Sequence, residues 1–211
     1  LFGVVDYGGH ERSYCILNED CTYTKLFECN NIYYYGDKIY YYQTAENNTK
    51  LCIFSSNLDG SNTRIITDSV TDFPTNPMIV EYEGDVIYTD FIGNINLVKT
   101  DGTNLSIVEG SDKTRSIQFV NGGYLYYTEY GRSSHAFSCN LMRVDLQGNN
   151  HECLISEKFY FSATVFDGKL LTFTPNGINA YDAALNISDT YDYGEFDYSE
   201  IEQIIVENGR I

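Results

Sequence analysis

The chain of 211 residues carries 13 Lys and Arg against 30 Asp and Glu, which gives a formal net charge of −17 at pH 7. Its hydrophobic content of 43% and aromatic content of 15% exclude a disordered chain, because enough apolar surface is present to form a core. The negative charge excludes nucleic acid as an expected partner and disfavours anionic membranes, since both would repel it. No stretch approaches the roughly 18 apolar residues of a membrane span, so we expect no membrane insertion.

The residue types indicate an all-β protein. The sequence contains 20 Tyr and 12 Phe, together with many Ile, Val and Thr, and these residues favour the pleated, half-buried surface of a strand. Its 17 Gly, with frequent Asn and Asp, supply turn positions that need a positive φ angle. We therefore expect short strands joined by tight turns.

The first 29 residues predict three short strands, at 1–7, 12–17 and 22–28. A hairpin of the last two would bring Cys15 and Cys29 roughly opposite each other, which makes them the candidate disulfide pair among the six cysteines. The even cysteine count suits an exported protein. Because the chain starts at Leu and not Met, we expect a processed product from which a targeting segment has been removed.

From residue 30 onward, two kinds of turn alternate along the chain. One kind has a glycine followed five residues later by an apolar pair, and its glycines are Gly60, Gly102 and Gly148. The other kind has a glycine between a short apolar strand and a following aromatic-rich strand, at Gly36, Gly84, Gly122 and Gly168, and the same Asn-Gly type of turn recurs at Gly209. Each unit of about 42 residues thereby holds four short strands, which is typical of one β-propeller blade.

These repeats predict a single domain, 1–211, with the fold of a five-bladed β-propeller whose blades are four-stranded. The approximate blades are 30–70, 75–112, 115–157, 159–199, and a composite of 200–211 with 1–29. In the composite blade, the C-terminal strand would join the N-terminal blade and close the ring, which pairs the sheet edges that an open array exposes. The alternative is that the chain is a piece of a larger ring.

The sequence of the blades resembles a known family. Segment 86–90, which reads Val-Ile-Tyr-Thr-Asp, and the turn at 99–104 resemble the YWTD blades of lipoprotein-receptor propellers. They resemble still more an uncharacterised bacterial family of propellers with similar strands and turns. The chain departs from YWTD blades in having no Trp and one blade fewer than their usual ring. The resemblance implies a secreted or cell-surface binding scaffold without catalytic residues, and it implies no particular ligand.

Aromatic side chains on the innermost strands are the expected ligand site. Tyrosine has an amphipathic ring that stacks on sugars or anchors a peptide, although most of the rings must belong to the core. The candidates for ligand binding are Tyr33, Tyr35, Tyr82 and Phe119.

The acidic segment 189–200 is a candidate calcium site. Its spacing partly matches the calcium loop of an EF-hand, with candidate ligands Asp189, Asp192, Asp197 and Glu200. Two loop positions that normally carry ligands are instead Tyr191 and Tyr193, so the alternative is an acidic outer strand without metal. We expect no other cofactor.

Catalytic signals are weak. The three histidines fall in predicted turns, at His10, His135 and His151, and no G-x-S-x-G nucleophile motif occurs. A propeller glycosidase would need paired carboxylates in its central funnel. The acids near the inner strands are Glu81, Asp72 and Asp112.

The expected function is therefore a non-enzymatic extracellular or cell-surface binding scaffold that recognises protein, peptide or glycan. One alternative is a carbohydrate-active hydrolase that uses funnel carboxylates, and another is a structural spacer in a larger surface protein. The acidic surface favours solubility, with a cationic partner as the alternative interpretation.

Overall fold

The computed structural model describes residues 2–6, 12–44, 51–70, 78–90, 92–110, 113–130, 139–157, 162–174, 177–182 and 184–192. Within these ranges the chain forms 19 strands. The first eleven are β1 (Phe2–Asp6), β2 (Arg12–Leu17), β3 (Tyr23–Glu28), β4 (Asn30–Tyr35), β5 (Lys38–Thr44), β6 (Leu51–Asn57), β7 (Arg64–Val70), β8 (Ile79–Tyr82), β9 (Asp85–Thr89), β10 (Ile95–Val98) and β11 (Asn104–Val108). The others are β12 (Thr114–Asn121), β13 (Tyr124–Tyr130), β14 (Cys139–Asp145), β15 (Glu152–Glu157), β16 (Ser162–Phe166), β17 (Lys169–Thr174), β18 (Gly177–Tyr181) and β19 (Ile187–Asp192).

The strands form five antiparallel sheets in which consecutive strands are neighbours. Four sheets have four strands each, β4–β7, β8–β11, β12–β15 and β16–β19, and the sheet β1–β3 has three. The all-β prediction is thereby confirmed, and the five sheets fit the five predicted blades. The chain divides into two compact units, Leu1–Gly110 and Ser111–Ile211, so the single domain stays a prediction. In the part of the chain that the structure describes, no helix is long and apolar enough to cross a membrane.

The first strands of neighbouring sheets lie beside each other within each unit. Strand β4 contacts β8 in the first unit, and β12 contacts β16 in the second. The Tyr35 hydroxyl donates a hydrogen bond to the carbonyl oxygen of Ile79 at 2.8 Å. In the second unit, the Ala163 amide donates to Oε1 of Gln118 at 3.0 Å. In a β-propeller, the first strands of successive blades meet and the later strands lie farther out. The contacts between these first strands fit that arrangement.

The core lies between the sheets, and the second strand of each sheet contributes most to it. Four consecutive residues of β5, from Ile39 to Tyr42, are buried, because both faces of this strand are covered. In the first unit, stacked rings link the sheets β1–β3 and β4–β7, since the centroids of Phe27 and Tyr41 are 4.3 Å apart. The predicted tyrosine-rich strands are therefore mainly core strands.

Aspartate side chains hold several of the turns. The carboxylate of Asp90, which is 9% exposed, accepts hydrogen bonds from the backbone amides of Ile92 at 3.2 Å and Asn94 at 2.9 Å. It also accepts hydrogen bonds from the side-chain amides of Asn94 and Asn96. Asp90 therefore satisfies backbone donors that the β9–β10 turn would otherwise leave unpaired.

Glycine is required where the β8–β9 turn passes close to the side chain of Thr100. Gly84 has a φ angle of +89°, and a Cβ atom there would lie 2.9 Å from Cγ2 of Thr100. Both the left-handed backbone and the close approach favour glycine. This is one of the predicted turn glycines.

The predicted Cys15–Cys29 disulfide is wrong. Cys15 is a free cysteine, and a bulge in the pairing of β2 with β3 places Lys25 opposite it. The extra residue of the bulge shifts the register, and Cys29 lies beyond the end of β3. A simple hairpin count could not include that shift.

Replacing the buried aspartate of the β9–β10 turn should destabilise the protein measurably. For Asp90→Ala we expect the free energy of unfolding to fall by about 2–3 kcal/mol, because two backbone amides lose their acceptor in a buried turn. Urea unfolding followed by circular dichroism measures the change. The control is Asp101→Ala, since Asp101 is exposed and accepts one backbone hydrogen bond, from Thr103. Equal losses in the two variants would contradict this role of Asp90.

A candidate binding cavity beside Arg143

The sheet β12–β15 carries a row of four facing side chains. The strand register pairs Phe119 with Tyr126, Tyr126 with Arg143, and Arg143 with Glu152. Directly paired residues lie on the same face of a sheet. The rings of Phe119 and Tyr126 are stacked, with centroids 4.4 Å apart. One sheet face thus changes from aromatic at its inner strand to charged at its outer strand.

Arg143 is held by neighbours on several sides. Its Nη2 forms an ion pair with Oε2 of Glu152, and its Cζ lies 4.8 Å from the ring centroid of Tyr124. Although burial alone would lower the pKa of Arg143, hydrogen bonds with Tyr126 and Glu152 raise it. The guanidinium is therefore a fixed positive charge. Its Nε, however, is buried without a hydrogen-bond partner in the described part of the chain.

These side chains line a cavity of about 290 Å³ in the second unit. Its polar wall is formed by Asn121, Tyr126, Arg143 and Glu152. Its remaining lining residues are mostly apolar and come from β15, β16, β17 and two turns of the last sheet; they are Leu154, Val165, Gly168, Leu170, Asp182, Ala184 and Leu185. Most of the exposed lining surface is polar, so the cavity is more polar than a usual small-ligand site.

The two carboxylates of the cavity are already engaged. Glu152 pairs with Arg143, and Oδ1 of Asp182 accepts hydrogen bonds from the amides of Ala184 and Asn186, each at 2.9 Å. The bond from the Asn186 amide is the main cause that lowers the pKa of Asp182. Both carboxylates therefore already have hydrogen-bonding or ion-pair partners. They can orient a ligand, whereas general acid catalysis would need one raised pKa.

The structure places one of the four predicted binding residues next to this cavity. Phe119 stacks on the lining residue Tyr126. Tyr33 and Tyr35 are in the first unit and pack against a buried cluster that includes Tyr40 and Tyr42. Burial, aided by the charge of the nearby Glu81, raises the pKa of Tyr35 to about 12. The fourth predicted residue, Tyr82, is half-buried at the end of β8. Ligand binding by these four side chains stays a prediction.

The predicted calcium ligands are only partly described. Asp189 and Asp192 lie on the exposed strand β19, and Oδ2 of Asp189 accepts a hydrogen bond from Nζ of Lys169 at 2.8 Å. Asp197 and Glu200 lie outside the described residues. Within the described ranges, no group of three or more acidic, histidine or cysteine side chains is placed to hold a metal ion. The calcium site stays a prediction.

The residues considered for catalysis have other roles where they are described. Oε1 of Glu81 accepts a hydrogen bond from the amide of Gly84 at 2.5 Å, so it supports the β8–β9 turn. Nε2 of His151 lies 3.2 Å from the carbonyl oxygen of Gly148, and this histidine is exposed. The other candidates lie outside the described residues, namely His10, His135, Asp72 and Asp112.

Sequence reasoning missed Arg143, Glu152 and Tyr126 as a group, although the sequence contains a signal for them. Arg143 precedes the turn glycine Gly148 by five residues, and Glu152 follows it by four. A hairpin about this glycine places two opposite charges on facing positions of adjacent strands. The apolar wall has no such signal, because it depends on how the next sheet packs.

The comparisons with known proteins identify the fold. No protein-family model matches this chain, and no curated protein matches it either. Among solved structures, the chain is similar to the β-propeller domain of the trilobed protease from Pyrococcus furiosus, with a TM-score of 0.60 and 13% identity. That match covers 95% of this chain and 68% of that one. The propeller fold predicted from the repeats is thereby confirmed.

Two further solved structures are similar to this chain. One is a prolyl endopeptidase, with a TM-score of 0.64 and 14% identity over 89% of this chain. The other is an oligogalacturonate lyase from Vibrio parahaemolyticus, with a TM-score of 0.58 and 10% identity over 95% of this chain. The chain spans 31% of the length of the endopeptidase and 63% of the lyase. At these identities the likeness is one of fold alone.

Alkaline pH should destabilise the protein through its buried tyrosines. Burial raises the pKa of Tyr41 from 10.0 to about 12, because the folded state disfavours the phenolate. As the pH rises, the Tyr41 hydroxyl therefore loses its proton in the unfolded chain before it does so in the folded protein. The stabilisation that comes from this difference is complete below pH 10 and is lost as the pH rises to about 12. Urea midpoints measured across this range should fall steadily.

The variant Tyr41→Phe should reduce this alkaline loss, since phenylalanine does not ionise. The control is Tyr191→Phe, because the Tyr191 side chain is 56% exposed. If both variants follow the wild-type pH dependence, the buried hydroxyl of Tyr41 is not a source of the effect.

Proposed function

We propose that this chain is a non-enzymatic β-propeller scaffold, secreted or at the cell surface, that binds a protein, peptide or glycan. The observation that supports this function best is the cavity beside Arg143. Its volume is about 290 Å³, and its lining brings Tyr126, Arg143 and Glu152 together with apolar side chains. Such a concave surface with several polar groups can hold part of a ligand.

The engaged carboxylates favour binding over hydrolysis. A glycosidase separates the roles of its two carboxyl groups by environment, so that one keeps its proton near neutral pH. Glu152 instead forms an ion pair with Arg143, and hydrogen bonds from backbone amides lower the pKa of Asp182, so Asp182 is unsuited to the role of general acid. The similar endopeptidase and lyase are enzymes by name, but this chain spans only part of each of them.

The blade motif supports the proposed YWTD-like character and location. Thr89 is buried, and Asp90 closes the turn that follows it. This arrangement gives the Thr-Asp pair of this blade a structural role in the fold. Location at the cell surface rests on the resemblance to lipoprotein-receptor blades.

We also propose that the C-terminal segment closes the ring. The described sheet β1–β3 has one strand fewer than the other four sheets, and the segment 203–206 has the apolar character of a first strand. Pairing it with β1 would cover an edge that otherwise invites association. The trilobed protease propeller is described as having an open velcro topology, which is the alternative for this chain.

Blocking the cavity should abolish ligand binding without unfolding the protein. Ala184 is exposed and lines the cavity. In the variant Ala184→Trp, the bulky indole ring would therefore occupy part of the cavity. The matched control is Gln147→Trp. The Gln147 amide donates to Oδ1 of Asp145 as the Ala184 amide donates to Asp182, but Gln147 does not line the cavity.

The measurement is binding of wild type and both variants to immobilised glycans, basic and acidic peptides, and candidate surface proteins. We expect the wild type and Gln147→Trp to bind one class of ligand equally well. The affinity of Ala184→Trp for that ligand should be at least about tenfold lower. A ligand that binds all three proteins equally would place the site elsewhere. The absence of any ligand would favour a structural spacer.

Ring closure predicts that β1 depends on the C-terminal segment. Proline cannot donate a ladder hydrogen bond, so Ile204→Pro should speed hydrogen exchange in the segment 2–6 by at least about tenfold. Mass spectrometry of the full chain measures this exchange, and the segment 139–145 in the same sample is the internal control. Unchanged protection of 2–6 in this variant would contradict closure by this segment.

A further inference from the structure

We infer that the cavity beside Arg143 binds a basic segment of a partner protein, with a lysine side chain beside Glu152 and an apolar residue of the same segment on Ile187. This inference rests on the proposed binding function and narrows its ligand from protein, peptide or glycan to a basic peptide. It depends on the two rows of side chains that bound the cavity and on the charge that they leave unbalanced.

The sheet β16–β19 carries an apolar row opposite the polar row of β12–β15. The strand register pairs Val165 with Leu170 and Leu170 with Tyr181, and Tyr181 is paired in turn with Ile187 of the outer strand. Paired residues share one face of a sheet. Leu170 and Tyr181 belong to the buried cluster against which Phe119 packs, so this face is turned toward β12–β15. The cavity therefore lies between a polar row and an apolar row.

Both rows end in exposed side chains at the outer strands. The side chain of Glu152, at the end of the polar row, is 51% exposed. Ile187, at the end of the apolar row, is 54% exposed, whereas Tyr181 before it in the row is buried. A partner can therefore reach a carboxylate and an aliphatic side chain without any rearrangement of the core.

The lining of the cavity carries an unbalanced negative charge. Arg143 pairs with Glu152 through Nη2 and Oε2, and Oε1 of Glu152 has no hydrogen-bond partner among the described residues. Hydrogen bonds from backbone amides lower the pKa of Asp182, so this carboxylate is charged at neutral pH. One guanidinium thus faces two carboxylates in the lining, and its charge offsets only one of them.

This balance disfavours the other kinds of ligand. An anion would meet two carboxylates against one guanidinium, and the net charge of −17 would oppose its approach. A wholly apolar ligand would remove water from Glu152 and Asp182 without offering a donor, which costs free energy. A cation with an apolar stem avoids both penalties.

A lysine side chain has this combination. Its four-carbon stem can lie on apolar surface while its ammonium group stays near water, and Leu154 and Leu185 supply apolar surface in the lining. The ammonium group has three donors that are not confined to a plane. It can therefore donate to Oε1 of Glu152 while it keeps part of its hydration.

The exposed Ile187 favours a peptide over a small free amine. Ile187 follows the lining residue Leu185 by two positions, so it continues the apolar surface beyond the cavity. A free amine in the cavity would leave this side chain in water. An apolar residue next to the lysine in a peptide would cover it, and each apolar area removed from water strengthens binding.

The test uses a capped pentapeptide with lysine between two leucines, acetyl-Gly-Leu-Lys-Leu-Gly-amide, on the full chain. Two counterparts have glutamine or glutamate in place of the lysine, and butylamine represents the cation without a peptide. Nuclear magnetic resonance titration of the isotope-labelled protein gives a Kd for each probe. Shifted amide signals in the segments 152–154 and 184–187 show where the probe binds.

Three variants change the cavity and its outer end with little change of shape. Glu152→Gln and Asp182→Asn each remove one lining charge and keep a hydrogen-bond acceptor, so the ion-pair partner and the turn amides are not left without one. Ile187→Asn removes the exposed apolar side chain. Circular dichroism confirms that each variant is folded.

The matched controls are Glu28→Gln, Asp59→Asn and Ile65→Asn in the other unit. Glu28 forms an exposed ion pair with Lys25, and Oδ1 of Asp59 accepts a hydrogen bond from the amide of Ser61 in its turn. Ile65 is exposed on an outer strand, as Ile187 is. Each control therefore makes the same change of charge or polarity away from the cavity.

We expect the lysine peptide to bind the wild type and the three controls equally. Its Kd for each cavity variant should be at least about threefold higher. The glutamine peptide, the glutamate peptide and butylamine should each bind the wild type at least about threefold more weakly than the lysine peptide.

An equal loss in the variants and their controls would overturn the inference, because the overall charge would then explain the binding. Equal affinity for the glutamine peptide, the glutamate peptide or butylamine would overturn it as well. If the lysine peptide does not bind but another ligand is lost in Ala184→Trp, the inference fails and the binding function stands. If no probe and no immobilised ligand binds, both fail.

Discussion

The structure depends on one constraint, which is that central strands such as β5 and β17 carry mostly apolar side chains on both faces and must be covered on both. In β5, residues on alternating faces are all buried, from Ile39 to Tyr42, and β17 repeats this from Leu170 to Phe173. A lone sheet could bury only one of those faces, so each sheet needs a neighbour on either side. Blades that cover one another in succession meet this need with short strands and local connections.

The same constraint explains why most of the tyrosines are structural and where a cavity is left. Side chains of central strands fill the space between neighbouring sheets, and rings such as Phe27 and Tyr41 stack there. Toward the outer strands of β12–β15, the face that carries Tyr126 and Arg143 becomes polar, and its side chains leave space against Val165 of β16 and Leu170 of β17. A cavity with a mostly polar lining is the result.

Much of the fold could be predicted from the sequence because its signals are local. The turn glycines and the alternating aromatic strands gave the five sheets, and strand β2 was predicted at its observed bounds. The register was not predictable in this way, since the bulge that separates Cys15 from Cys29 depends on packing. The candidate site was less predictable. Phe119 stacks on the lining residue Tyr126, but Phe119, Tyr33 and Tyr35 all pack against core clusters, because a strand's aromatic residues do not reveal which face is covered.

The ion pair of Arg143 and Glu152 shows why net charge alone is a poor guide to the ligand. At −17 the protein attracts cations at long range, yet this attraction is screened within about 10 Å at moderate ionic strength. Inside the cavity, the guanidinium of Arg143 lies beside the carboxylate of Glu152, and Asp182 is a further lining residue. Both signs of charge are therefore present at short range. The long-range field therefore selects which partners approach, whereas the short-range hydrogen bonds decide what the cavity holds.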